Sequence, residues 1–198
     1  MLKKNKIIIL LFIIFSFYAC GETPVPKPRG YFRIDLPEKE YVHFNDTGIR
    51  QHEYLPLTFE YPAYGEIAYE PDNMEQGWFN INIPVYNARI YLTYKPVQGD
   101  LASLIEQTYR MNVKNHITRA DAINEELIYN TDKRVFGILY DLKGNTATAV
   151  QFFVTDSINH FLRGSLYFSS EPNPDSLAPV IDFFRQDIAH MIETLKWE

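Results

Sequence analysis

The sequence predicts an α+β fold in which a mainly antiparallel sheet carries two main helices. Short stretches that alternate apolar and polar residues recur along the 198-residue chain, and a period of two is typical of strands with one buried face. Turn-forming residues separate the later stretches by only a few positions, and links this short require antiparallel neighbours. Two other stretches repeat apolar residues at helical spacing. These three observations define the predicted class.

Three strands and a helix are predicted in the first half of the chain. The strands cover residues 57–61, 78–83 and 88–94, and residues 84–87 form a candidate hairpin turn. Asp100 is a suitable N-cap for a helix that ends near Lys114. One face of this helix carries Leu101, Leu104, Ile105, Thr108, Met111 and Asn112.

Four strands and a final helix are predicted in the second half. The strands cover about residues 123–129, 134–142, 146–155 and 161–168. The helix is expected over residues 176–195, with Asp175 and Ser176 as caps and Pro179 in its first turn. Its apolar stripe consists of Val180, Ile181, Phe184, Ile188, Met191, Ile192 and Leu195. A helix with one such stripe must pack on another element, and the sheet is the available partner.

Residues 1–19 have the pattern of a signal peptide. Three lysines precede an apolar run, residues 7–19, that is too short to span a bilayer comfortably. Cys20 is the only cysteine and follows Ala19, which resembles a bacterial lipoprotein signal. We expect cleavage before Cys20, a diacylglyceryl group on its thiol and an acyl chain such as palmitate on its new amino group. A chance cysteine after an ordinary signal and an uncleaved anchor are the alternatives.

The expected mature chain consists of a linker and one domain. Residues 20–30 contain three prolines at alternate positions, which favour an extended spacer. Residues 31–198 are long enough for a single globular domain. Loss of the signal lysines changes the formal charge from −6 to −9, because three lysines leave with no acid. This acidity speaks against a nucleic-acid partner, which requires a basic surface.

The sequence carries no recognised catalytic or metal-binding motif. The histidines are scattered without the spacing of a zinc site: His43, His52, His116, His160 and His190. We therefore expect no enzymatic activity, no metal and no cofactor. His190 lies three residues from both Asp187 and Glu193, and we expect a solvated ion pair there.

Two patterns leave alternative functions open. Residues 155–160 bring Ser157 and His160 close in sequence, which suggests a hydrolase, although a hairpin turn explains the same composition. A second group of residues could form an aromatic surface for a glycan or an extended peptide, although strands are generally rich in aromatic residues. This group is Tyr61, Tyr64, Tyr69, Trp78, Tyr86, Tyr91 and Tyr94.

Five stretches of the chain carry a resemblance to a known family. They are YFRIDLP at 31–37, WFNI at 78–81, ARIYLTYK at 88–95, TDSINHFLRGSLYF at 155–168 and PNPDS at 172–176. With these stretches, nearly all of the chain from Tyr31 to Trp197 resembles the gliding-motility lipoprotein family GldD of Bacteroidetes. The stretches are specific when taken together, and none is a catalytic signature.

The resemblance implies a role in the machinery that moves adhesins along the cell surface, tied to the type IX secretion system. It implies no enzymatic activity, no cofactor and no catalytic residue. The implied partners are the membrane, through Cys20, and other envelope proteins of gliding and secretion. Gly21 rather than aspartate follows Cys20, and by analogy with enterobacterial sorting this predicts the outer membrane, with the domain facing the periplasm.

A further resemblance concerns the fold. The sequence F-x-Y-P at residues 59–62 is followed by a hairpin, a helix, an antiparallel meander and a final helix. This order is similar to the PsbP/Mog1-like α/β/α sandwich, and such a similarity does not fix a function.

Overall fold

The computed structural model of the chain describes residues 34–44, 55–69, 77–169 and 174–198. Residues 34–198 form one compact unit. The predicted signal peptide 1–19, Cys20, the linker 20–30 and His52 lie outside the described residues.

Two antiparallel sheets account for the strands of the described residues. The strands are β1 (Tyr41–Phe44), β2 (Leu57–Pro62), β3 (Glu66–Ala68), β4 (Trp78–Ile83), β5 (Ala88–Pro96), β6 (Ala120–Asn130), β7 (Val135–Gly144), β8 (Thr148–Thr155), β9 (His160–Phe168) and β10 (Lys196–Trp197). The larger sheet has the order β3-β4-β5-β9-β8-β7-β6, and the smaller has the order β1-β2-β10. The short links between β6 and β9 produce antiparallel neighbours, as the turn residues predicted.

Two α-helices lie in the described residues. Helix α1 covers Leu101–Tyr109 and continues as a π-helical turn over Arg110–Lys114. Helix α2 covers Pro174–Thr194. A 3-10 turn over Pro84–Tyr86 joins β4 to β5 in the expected hairpin.

The expectation that Asp100 caps α1 with its side chain is wrong. Its carboxylate accepts the backbone N–H of Gln98 at 2.9 Å and makes no hydrogen bond to the helix. The Asp100 carbonyl instead accepts the N–H of Leu104 at 3.0 Å, so the residue begins the helix through its backbone. The carboxylate therefore stabilises the preceding turn.

The larger sheet lies between the two helices. One face packs against α2 and the smaller sheet around a core that includes Phe79, Ile90, Val150, Phe152 and Leu166. The other face packs against α1 and the π-helical turn through a smaller core of Leu104, Val113, Tyr140, Leu142, Phe153 and Phe161. This arrangement confirms the predicted α+β class and its sandwich architecture.

The apolar stripe of α2 lies on the sheet as predicted. Six of its seven residues are buried (Val180, Phe184, Ile188, Met191, Ile192 and Leu195), and Ile181 is half-buried. The predicted start of α2 is wrong, because the helix begins at Pro174 and so includes Asp175 and Ser176. Pro179 is consequently the sixth residue of the helix, where it lacks the N–H that would reach the carbonyl four residues earlier.

Asp187 is the buried acid at the centre of α2. Lys39 lies 2.6 Å from its Oδ1, and the hydroxyls of Tyr41 and Tyr64 both donate to its carboxylate. Burial and the bond to Asp187 raise the pKa of Tyr41 to about 12, and the same causes raise the pKa of Tyr64. Both tyrosines therefore stay protonated donors at neutral pH, and they join the start of β1 and the turn after β2 to the helix.

The expected ion pair of His190 with Asp187 and Glu193 is wrong. His190 Nε2 lies 2.6 Å from Oε2 of Glu60 on β2, and its ring stacks on Tyr41 with centroids 3.7 Å apart. Packing of α2 on the smaller sheet supplies this partner, since Glu60 is 130 residues away in sequence. Within the described ranges, no three histidine or acidic side chains are arranged to hold a metal ion.

Candidate functional site

Strand β6 is one of the two edges of the larger sheet in the part of the chain that the structure describes, and the short strand β3 is the other. It runs antiparallel to β7 over Ala120–Asn130, and no other described strand pairs with its outer side. An edge strand exposes unpaired backbone N–H and C=O groups, which another strand can satisfy. The backbone of β6 is therefore available for pairing with an additional strand.

The outer half of the β6–β7 hairpin exposes apolar side chains on the sheet face opposite α2. Leu127 and Tyr129 are 80% and 78% exposed, and their cross-strand partners Ile138 and Phe136 are half-buried. The rings of Tyr129 and Phe136 lie 5.3 Å apart. We call these four residues the hairpin surface. Exposed apolar side chains that cluster beside a free edge are typical of a protein-contact site.

The opposite face of the hairpin is fixed to α2. Arg185 donates through Nε to Asp141 on β7 at 2.8 and 3.0 Å, and its Nη2 donates to Glu126 on β6. The turn between the strands is held by Lys133, which donates to the Glu193 carbonyl. These contacts order the hairpin before any partner binds, which lowers the conformational entropy lost on association.

Acidic residues accompany the hairpin surface. Glu125 shares a face with Leu127 because residues two apart on a strand point the same way, and Glu125 is exposed. Asp121 and Asp132, at the start of β6 and in the hairpin turn, are also exposed. The exposed Arg134 and Lys143 balance these two aspartates, so Glu125 is the acid that favours a basic side chain in a partner next to Leu127.

Asp156, next to the predicted Ser157 and His160 pair, serves the turn after β8. Its Oδ1 accepts the backbone N–H groups of Ile158, Asn159 and His160 at 2.9, 2.8 and 2.8 Å. Burial alone would raise the pKa of Asp156, but these hydrogen bonds outweigh burial and hold the pKa below its ordinary value. The presence of Asp156 at this position is therefore accounted for by its role in stabilising the turn.

The structure does not arrange Ser157 and His160 as nucleophile and base. Ser157 is exposed at the turn with a backbone φ of 72°. His160 Nδ1 is hydrogen-bonded to the Tyr94 hydroxyl at 2.9 Å, and the imidazole stacks on Trp197 with centroids 5.3 Å apart. Because a nucleophile needs its base within hydrogen-bond reach, this geometry speaks against the hydrolase alternative.

We predict that a Ser157→Ala, His160→Ala double variant glides like the wild type. Ser157→Ala keeps the backbone N–H that donates to Thr155 Oγ1, and His160→Ala removes the hydrogen bond with Tyr94, so the pair is expected to cost about 1–2 kcal/mol of stability and no activity. The measurement is gliding speed of cells that carry the variant at wild-type abundance. A stable, abundant double variant that does not glide would support the hydrolase instead.

The predicted aromatic group does not form one surface. Tyr94 is buried, and most of the others pack against the core, including Tyr64 and Tyr86, whose rings contact Phe184. Tyr91 alone among the seven is more than a third exposed, and it contacts Tyr167 edge-on. These aromatic residues are therefore explained mainly by packing.

The hairpin surface was not found from the sequence. The sequence predicts the strand over 123–129 but does not indicate which of its apolar residues stay exposed. Leu127 and Tyr129 are exposed because β6 lies at an edge and its outer half extends beyond the smaller core, which includes Ile123 of β6 but neither of these two residues. The sequence signal that could have indicated this exposure is that acidic residues, Glu125 and Glu126, stand directly before Leu127 in the alternating stretch.

The described residues thus define an α+β sandwich with a surface suited to protein contact. Neither of its helices is long and apolar enough to cross a membrane. Among solved structures, the chain is similar to the solution structure of cyanobacterial PsbP (CyanoP) from Synechocystis sp. PCC 6803, with 11% identity and a TM-score of 0.50. The match covers 84% of this chain and 98% of that chain, and it shows a shared fold alone.

The family model described as gliding motility lipoprotein GldD matches residues 21–197, so the chain belongs to the GldD family. It is therefore a gliding-motility lipoprotein, of a class held at the cell envelope by a membrane anchor. The predicted resemblance is confirmed. No curated protein matches the chain.

Proposed function

We propose that this lipoprotein is a non-enzymatic component required for gliding motility that acts through protein contacts and is linked to type IX secretion. Residues 1–19 serve as the signal peptide, Cys20 carries the lipid, and residues 20–30 form the linker to the domain over 31–198. The outer membrane holds the anchor, and the domain faces the periplasm. The family match supports the process, and the hairpin surface is the observation that carries the contact role.

The partner is an extended segment of another envelope protein that pairs with β6. Backbone hydrogen bonds from such a strand would satisfy the free edge, and its side chains would give specificity. Its apolar side chains would cover Leu127 and Tyr129, while a basic side chain would meet Glu125. The hairpin is already fixed to α2 by Arg185, so the domain binds as a rigid platform.

Replacement of Leu127 and Tyr129 by aspartate tests this role. The double variant is expected to lose gliding almost completely, because two buried carboxylates at the contact would each be unpaired and desolvated. Its stability should change little, since both side chains are exposed. The control is Val85→Asp, which places the same charge at an aliphatic residue that is 82% exposed on the turn between β4 and β5. Gliding speed is measured at matched protein abundance.

A photo-crosslinking amino acid at position 127 identifies the occupant. The expected product is a crosslink to a different envelope protein that is absent when the amino acid is placed at position 85. A crosslinked product of twice the chain mass would instead show self-association. A double aspartate variant that glides normally would contradict the contact role of the hairpin surface.

A further inference from the structure

A cleft lies between α1 and the larger sheet, on the same sheet face as the hairpin surface but above the inner strands. Its volume is about 210 Å³. The lining residues are Trp78, Lys95, Leu104, Gln107, Thr108, Met111, Phe161 and Arg163. Two of these described lining residues are cationic and none is acidic, although the chain as a whole carries a formal charge of −6. A cleft lined by cations and by no carboxylate favours an anionic ligand.

Arg163 on β9 is the residue of the cleft that is best suited to bind an anion. Among the described residues, its guanidinium donates to the thioether of Met111, and Nη1 lies 3.1 Å from Sδ. A thioether is a weak acceptor, and no described carboxylate forms an ion pair with Arg163. Burial lowers the pKa of this guanidinium, because desolvation disfavours its charged form.

Arg185 on α2, at the opposite face of the sheet, has the ionic partners that Arg163 lacks among the described residues. Arg185 is also partly buried, and it is paired with both Asp141 and Glu126. Arg163 is half-buried and has no carboxylate partner among the described residues, so its partial desolvation is not compensated and its presence requires another explanation. The planar fork of an arginine matches the two oxygens of a carboxylate or phosphate.

The other lining residues indicate what the remainder of the ligand is like in polarity and size. Leu104, Met111 and Phe161 form its apolar side, and Gln107 and Thr108 on α1 add polar groups. The buried indole Nε1 of Trp78 has no hydrogen-bond partner among the described residues. The volume accommodates a small organic group and excludes a folded partner.

We infer that this cleft is a binding site for a small organic anion, whose carboxylate or phosphate group pairs with Arg163 and whose short apolar body lies against Leu104, Met111 and Phe161. The inference is independent of the proposed contact role, because the hairpin surface and the cleft share no residue. A ligand bound here would contact α1 and the sheet together and so stabilise the sandwich.

Calorimetry on the full chain in non-ionic detergent tests the site with butyrate and phenyl phosphate as probes. Butylamine tests the sign of the charge, and inorganic phosphate tests the need for an apolar body. We expect saturable binding of at least one organic anion with a Kd near or below about 1 mM. Butylamine should not bind, and inorganic phosphate should bind more weakly.

Three substitutions separate binding from folding. Arg163→Met should weaken anion binding at least about tenfold and raise the thermal midpoint by a few degrees, because it removes a half-buried charge that has no carboxylate partner among the described residues. Arg163→Lys keeps the charge without the fork, so its affinity should be intermediate, and it preserves the test if the methionine variant does not fold. Arg110→Met on the solvent side of the same helical segment, where Arg110 pairs with Glu106, should bind like the wild type.

Several results would overturn the inference. These are no saturable binding of either organic anion by the wild type at about 10 mM, full affinity in Arg163→Met, or equal loss in Arg110→Met. A lower thermal midpoint in Arg163→Met with unchanged binding would show that Arg163 has a structural role only.

Discussion

Replacement of Phe184 by alanine is expected to lower the free energy of unfolding by about 3–5 kcal/mol. Phe184 on α2 is 0% exposed, and its ring lies 5.6 to 6.4 Å from those of Tyr64, Tyr86, Phe168 and Phe183. Truncation removes the transfer free energy of the ring and leaves a cavity that these rigid neighbours fill only partly. Urea denaturation of the wild type and the variant measures the difference.

The control for this substitution is Tyr129→Ala, which removes an aromatic ring that is 78% exposed. Only the cross-strand contact with Phe136 is lost there, so the expected cost is about 0.2–1 kcal/mol. A change below about half a kcal/mol at Phe184 would mean that the apolar stripe of α2 does not stabilise the sheet.

Replacement of Cys20 by serine is expected to abolish gliding and release the protein from the membrane fraction. Each buried methylene of an acyl chain contributes about 0.8 kcal/mol to membrane binding, so loss of all chains removes the anchor. The effect should equal that of deleting the gene, which we expect to stop both spreading and the surface delivery of adhesins while general viability is retained. Cell fractionation and a motility assay measure these outcomes.

Mass spectrometry of the N-terminal peptide checks the chemical premise. The wild type should begin at an acylated Cys20, and Ala19→Ser, which keeps a small residue before the cysteine, should be processed in the same way. An unmodified Cys20 still joined to Ala19 would contradict the lipoprotein signal. So would a Cys20→Ser variant that remains on the membrane and supports gliding.

The sequence by itself determined the elements that a local period encodes. The apolar stripe of α2 was predicted because residues 3.6 positions apart share a helix face, and all its members pack on the core. Strands such as β4 were predicted because their alternation has a period of two, and Phe79, Ile81 and Ile83 are indeed buried. Antiparallel pairing followed from the short links, and the family resemblance followed from stretches that are specific in combination.

Only the tertiary structure decided which long-range partners these elements meet. His190 pairs with Glu60 rather than with acids on its own helix, because α2 lies on the smaller sheet. Local composition could not predict that β6 lies at an edge of the larger sheet. It also could not predict that Arg163 lies in a cleft next to the Met111 sulfur. The period of a strand fixes which residues share a face, whereas the order of strands and the position of the helices fix which of those residues remain exposed or unpaired.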